Sequence, residues 1–158
     1  MTRSRELRQT RRRMSVLERT QWVPVELHRA FEFFADPQNL AAITPPWLHF
    51  RIVEAPERAQ RGALIRYRLR IKGVPVRWLT EITEWHPPHT FTDVQLSGPY
   101  WVWEHTHRLN AVAGGTELYD HVSYRVPGGA AVDRSIVRPL LHEIFDYRRA
   151  RIADRFGA

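Results

Sequence analysis

The sequence predicts a single α+β domain in which a curved, seven-stranded antiparallel sheet wraps a long C-terminal helix, with two short helices after the first strand. Three observations predict it. Between residues 48 and 126 strand-like runs follow one another, divided by turn residues. Apolar residues at helical spacing are confined to a stretch after the first strand and to the C-terminal end. The tight turns, read as hairpins, set inward-facing residues opposite inward-facing residues. At 158 residues the chain can bury one real core.

Val16 to Val23 reads as the first strand, ended by Pro24, which suits the first turn of a helix carrying Leu27, Ala30, Phe31 and Phe34. Asp36-Pro37 reads as an N-cap and start of a second, short helix with Leu40 and Ile43 inward, stopped by Thr44-Pro45-Pro46. Strands are then expected near 48–55, 63–71, 74–85, 90–96, 101–111 and 116–126. Arg61-Gly62, Lys72-Gly73, Pro87-Pro88, Ser97-Gly98-Pro99 and Gly114-Gly115 divide them. The segment 132–156 closes the domain as a helix whose stripe holds Val137, Leu141, Phe145, Ile152 and Phe156. Arg148 falls in the same stripe, and Pro139 belongs near the first turn or at a kink.

Alternation assigns the faces. Ile65, Tyr67, Leu69 and Ile71 point inward in one strand. Trp101, Trp103, His105, His107 and Leu109 do so in another, and Leu118, Asp120, Val122 and Tyr124 in the last. A two-residue loop at Lys72-Gly73 pairs Ile71 with Val74 and Tyr67 with Trp78. The same loop at Ala113-Gly114 pairs His107 with Asp120 and Trp103 with Tyr124. For 90–96 either face, Phe91-Asp93-Gln95 or Thr92-Val94-Leu96, can be interior.

With 43% hydrophobic and 26% charged residues the chain has the balance of a globular domain. No apolar run approaches the roughly 18 residues of a membrane span, and no secretory signal is legible, so a cytoplasmic location without membrane insertion is expected. The absence of cysteine excludes disulfides, thiolate zinc sites and a cysteine nucleophile. The net charge of +7 is unevenly placed: six arginines and Glu6 lie in residues 1–13, leaving only two of the seven charges to the rest. Residues 1–14 are therefore read as a basic, disordered extension, with translation beginning at Met14, and 15–157 as the domain. No nucleic-acid partner is expected, although an arginine-rich arm that touches phosphates is the alternative.

Several stretches together carry a family resemblance: Trp78-Leu79-Thr80-Glu81-Ile82, Phe91-Thr92-Asp93-Val94-Gln95, Gly98-Pro99-Tyr100, Trp103-Glu104-His105-Thr106-His107, Asp120-His121-Val122-Ser123-Tyr124 and Ile144-Phe145-Asp146-Tyr147-Arg148. Over residues 16–156 the chain resembles the bacterial ligand-binding branch of the SRPBCC superfamily, which shares its fold with START lipid-transfer domains, polyketide cyclases and the birch pollen allergen. The resemblance implies a helix-grip fold with an internal cavity between helix and sheet. It leaves function open, because this fold hosts carriers, receptors and enzymes.

The inward residues define a candidate site. Phe50, Tyr67, Leu69, Trp78, Trp103, Tyr124 and Phe145 form an aromatic wall suited to a small hydrophobic, lipid or polyketide-like molecule, or else simply fill the core. His107, Asp120 and Arg148, with His105 beside them, are the polar groups. As an enzyme site, a cyclase or dehydratase, His107 would be the base, Asp120 its orienting partner and Arg148 the group that steadies negative charge. Alternatively Asp120 neutralises Arg148 and His107 completes a structural network. His105 and His107 share a face at a spacing zinc sites use, with Asp120 or Asp93 as a third ligand, but no metal or cofactor is expected. No phosphate-cradling glycine motif and no nucleophile-elbow serine is present. Ligand binding is the leading expectation and catalysis the alternative.

Overall fold

The computed structural model describes residues 14–158; the basic segment 1–13 and the expectations attached to it lie outside the described residues. The chain runs β1 (Ser15–Val23), α1 (Leu27–Ala35), α2 (Asn39–Ala42), a 3-10 turn (Pro46–Leu48), β2 (Arg51–Glu54), β3 (Leu64–Ile71) and β4 (Val74–His86). It continues through β5 (Thr90–Ser97), β6 (Val102–Val112), β7 (Gly115–Arg125), α3 (Gly129–Val132), a π-helical turn (Asp133–Val137) and α4 (Arg138–Phe156). The strands form one antiparallel sheet in the order β1-β7-β6-β5-β4-β3-β2, so the first strand closes onto the last. Among the described residues no helix is long and apolar enough to cross a membrane.

Both turn-derived registers hold: Ile71 faces Val74, Tyr67 faces Trp78, Trp103 faces Tyr124 and His107 faces Asp120. The physical cause is visible at the β3–β4 turn. Lys72 (φ 49°) and Gly73 (φ 81°) both occupy the left-handed region, which matches the right-handed twist of the flanking strands. At the other end, a Cβ on Gly115 would collide with the Val23 carbonyl oxygen, so only glycine lets β7 start this close to β1.

Four expectations are corrected. The first helix begins at Leu27 rather than at Pro24, because Glu26, not Pro24, supplies the first helical carbonyl, to the Ala30 N–H. β2 is shortened to four residues because Pro46–Leu48 winds into a 3-10 turn. The C-terminal helix starts earlier, at Gly129, and passes through the π turn before Pro139, the second residue of α4. Trp101 is 61% exposed, not inward: it sits in the bend before β6, where strand parity does not extend, with the Arg125 guanidinium over its ring.

The β5 ambiguity is resolved in favour of Phe91 and Asp93. Phe91 is buried and stacks on His107 (centroids 4.0 Å, 11° between planes), while Thr92 on the other face pairs hydroxyls with Thr106. α4 buries Leu141, Phe145 and Ile152 and is tied across β1, where Gln21 Nε2 donates to the Arg149 carbonyl (2.8 Å).

The start of the C-terminal helical segment is fixed by Asp133, a buried carboxylate. It accepts from Ser15 Oγ (2.6 Å), Tyr124 OH (2.7 Å) and Arg138 Nη2 (3.1 Å), joining β1, β7 and α4. Burial alone would raise its pKa, but these three donors hold it below the ordinary carboxylate range. Burial and the bond to Asp133 push the Tyr124 hydroxyl up to about 12.

Candidate functional site

Between the concave face of the sheet, α2 and α4 lies a cavity of about 200 Å³. Its wall is aromatic because β3, β4 and β6 alternate large rings inward at matched register. Tyr67 stacks on Trp78 (5.5 Å, 19°), Trp103 meets Trp78 edge-on (5.4 Å, 90°), and Phe50 closes against Tyr67 (5.0 Å). Leu69 and Phe145 complete the sequence-predicted apolar lining, and His105, His107 and Arg148 bring polar atoms to it.

Asp120 and Tyr124 fall outside this lining. Parity places their side chains on the concave face correctly, but α4 crosses that part of the sheet. Asp120 is covered by Phe145, Arg148 and Ile152 against β1, and the Tyr124 hydroxyl is committed to Asp133.

Two residues that the sequence reading left out of the ligand lining complete the site. Tyr100 packs between Trp78 (5.5 Å) and Trp103 (4.7 Å), held there by a reciprocal pair of hydrogen bonds between its backbone and the Gln95 amide. Asp93 faces His105 across β5–β6 and lines the cavity. The signal for Asp93 was its alternation with Phe91, masked because the opposite face of that strand is equally mixed in polarity.

The polar cluster is a closed arrangement of two imidazoles between two carboxylates. Asp120 Oδ1 lies 2.8 Å from His105 Nε2 and 3.0 Å from His107 Nδ1. Asp93 Oδ2 lies 3.0 Å from His107 Nε2 and 3.7 Å from His105 Nδ1. Both nitrogens of His107 are thus engaged, whereas Nδ1 of His105 makes no hydrogen bond among the described residues. Burial works against a charge on either ring. In His107 it is outweighed by the bonds to Asp120 and Asp93, so its pKa rises; in His105 burial, reinforced by the neighbouring His107, prevails and its pKa falls. Both carboxylates resist the upward push of burial through their histidine hydrogen bonds and the nearby Arg148, and stay below the ordinary range.

Arg148 does not pair with Asp120: among the described residues its guanidinium forms no ion pair, and its buried Nε has no acceptor. It sits instead over the rings of Phe34 (5.7 Å) and Phe145 (6.0 Å). Trp78 likewise holds a buried indole N–H without an acceptor.

Residues 23–152 match the profile of the family described as polyketide cyclase/dehydrase and lipid transport. The chain belongs to this family. No curated protein matches the sequence significantly. Among solved structures, the Zhui aromatase/cyclase from Streptomyces sp. R1128 is similar at TM-score 0.72 and 16% identity, over 91% of this chain and 94% of that one. Protein CV1439 from Chromobacterium violaceum is similar at TM-score 0.72 and 14% identity, over 91% and 99%. Ara h 8.0201 is similar at TM-score 0.63 and 17% identity, over 89% and 99%. At these identities the likeness is one of fold and bears out the helix-grip architecture, while the family match over residues 23–152 bears out the superfamily resemblance. Within this polyketide cyclase and lipid-transport family fold, the cavity occupies the space between sheet and C-terminal helix, where an apolar ligand can be enclosed.

Proposed function

We propose that the protein binds a small, predominantly apolar molecule, aromatic or lipid-like, that carries one acceptor or acidic group. The rings of Tyr67, Trp78, Tyr100 and Trp103 enclose its body, and Arg148 with the histidine–aspartate cluster meets its polar end. The observation that carries this reading is the unpaired Arg148 guanidinium on the wall of an apolar cavity. A buried donor without a partner is costly, and a ligand oxygen would satisfy it. Titration with the fluorescent apolar probe phenylnaphthylamine tests the reading: saturable uptake is expected, weakened in a folded Trp103→Leu variant. Unchanged affinity in that variant would remove Trp103 from the binding wall.

A second reading, proton transfer on a bound carbonyl compound of the cyclase or dehydratase kind, is favoured by the unbonded Nδ1 of His105 at the cavity wall. In that case His105 rather than His107 is the proton acceptor, since both nitrogens of His107 are occupied, and Asp120 orients the ring. His105→Gln should then abolish turnover while leaving probe binding in place; turnover that survives the change excludes this role.

A further inference from the structure

The cluster has a polarity that ligand binding does not require. Asp120 Oδ1 faces both imidazoles at once as a hydrogen-bond acceptor, His105 Nε2–H at 2.8 Å and His107 Nδ1–H at 3.0 Å. That single carboxylate thereby sets both tautomers. In the free protein His107 Nε2 is hydrogen-bonded to Asp93 Oδ2, and His105 Nδ1 stands 3.7 Å from the same oxygen. A divalent ion taking the place of that hydrogen bond would find one oxygen and two ring nitrogens facing one point.

The spacing of these atoms suits a small divalent ion. One donor atom from each of Asp93, His105 and His107 lies within 4.8 Å of the others. Asp93 Oδ2 is 3.0 Å from His107 Nε2 and 3.7 Å from His105 Nδ1. Ligands on a tetrahedral ion with bonds of 2.0–2.1 Å stand about 3.3 Å apart, between those two distances. The placement is imposed by the sheet: His105 and His107 are two apart on β6, and Asp93 sits opposite His105 on β5. Small rotations of side chains on paired strands are enough to close the set.

We propose that Asp93, His105 and His107 hold a divalent transition-metal ion, with Asp120 as the carboxylate that orients both imidazoles from behind. All three ligands line the cavity, so the remaining coordination position opens toward it. Two imidazoles and one carboxylate are the donor set of zinc and ferrous sites, not of calcium or magnesium. Arg148 lies near enough to influence both carboxylates electrostatically, yet outside ion-pair distance of either among the described residues. Metal and guanidinium would together make this end of the cavity an anchor for an anionic group. Metal binding at these three residues does not require the organic ligand.

The test uses full-length, untagged protein stripped with a chelator and titrated with cobalt(II), whose visible absorption bands report inner-sphere coordination. The expected result is one equivalent bound with saturable bands and a raised melting temperature. Zinc should displace the cobalt competitively. Bands should vanish in His107→Gln and in Asp93→Asn, persist in the outward-facing His121→Gln, and require about 10- to 100-fold more metal in Asp120→Asn, the effect typical of losing a carboxylate behind a ligating histidine. Should the ligand variants fail to fold, long-range nitrogen–proton spectra of the wild-type protein decide: zinc must perturb the His105 and His107 ring nitrogens and leave the other histidines alone. Bands absent from wild-type protein, bands that survive His107→Gln, or spectra in which zinc moves other histidines instead would each overturn the assignment.

Discussion

Replacing Arg148 with methionine separates the charge of this side chain from its bulk. Methionine keeps an unbranched apolar stem of similar reach, so packing over Phe34 and Phe145 is largely retained while every guanidinium donor is lost. In the free protein those donors have no partner among the described residues, and the buried Nε has no acceptor at all. In the complex they donate to the ligand's acidic group. A hydrogen bond to a charged group contributes about 1.5–3 kcal/mol, which converts to about 10- to 150-fold in Kd. The assay compares two probes with the same aromatic rings, anilinonaphthalene sulfonate and neutral phenylnaphthylamine, each titrated by fluorescence into wild type and Arg148→Met. The sulfonate should lose affinity by that factor and the neutral probe should change by no more than about twofold, within the scatter of conservative apolar swaps. Equal weakening of both probes would mean that Arg148 only shapes the cavity. No change in either would mean that it does not face the ligand, and the reasoning from the unpaired guanidinium would fail.

Three further outcomes follow from the geometry. Asp133→Ala should destabilise the fold by about 2–4 kcal/mol in urea unfolding, since it leaves the Ser15 and Tyr124 hydroxyls without their acceptor while the half-exposed Arg138 turns to water; a loss below about 1 kcal/mol would deny the clamp. The same carboxylate sets a pH window: its folded pKa is lowered, so its contribution is present above the unfolded value near 3.9 and disappears as pH falls through the folded one. The penalty of Asp133→Asn should therefore shrink below about pH 4. Tyr124 runs the other way: pushed up to about 12, its hydroxyl contributes stability that is full below about pH 10 and lost on rising through about 12. Ultraviolet titration should show one tyrosine ionising at lower pH in Asp133→Asn than in the wild type, over the background of Tyr67 and Tyr100, which burial also pushes up.

The fold was legible where local chemistry dictates geometry. Lys72-Gly73 sets a two-residue turn, and the turn sets which residues of β3 and β4 meet, so Tyr67 against Trp78 could be read directly. The same logic found His107 opposite Asp120. Where no tight turn supplies register, the reading stalled. β5 joins β6 through a longer connection, so the sequence names Asp93 beside Asp120 as a possible partner of His105 and His107 but does not give its register or its face. Parity assigns a face but not a depth: it could not tell that α4 covers Asp120 while His105 remains at the cavity. It also fails outside the strand proper, as Trp101 shows. Asp133 left no local trace: Ser15 is brought to it only by the closure of β1 onto β7, and Tyr124, though nine residues away, reaches it only through the turn between β7 and α3.

The central claim is an occupied apolar cavity, and mass spectrometry under native conditions tests it most directly. Freshly purified protein should carry a discrete added mass, non-covalent and released on denaturation, or should take up one equivalent of phenylnaphthylamine when it has been purified bare. A bare protein that also refuses the added apolar probe at saturating concentration would contradict the account and identify the aromatic wall as plain core.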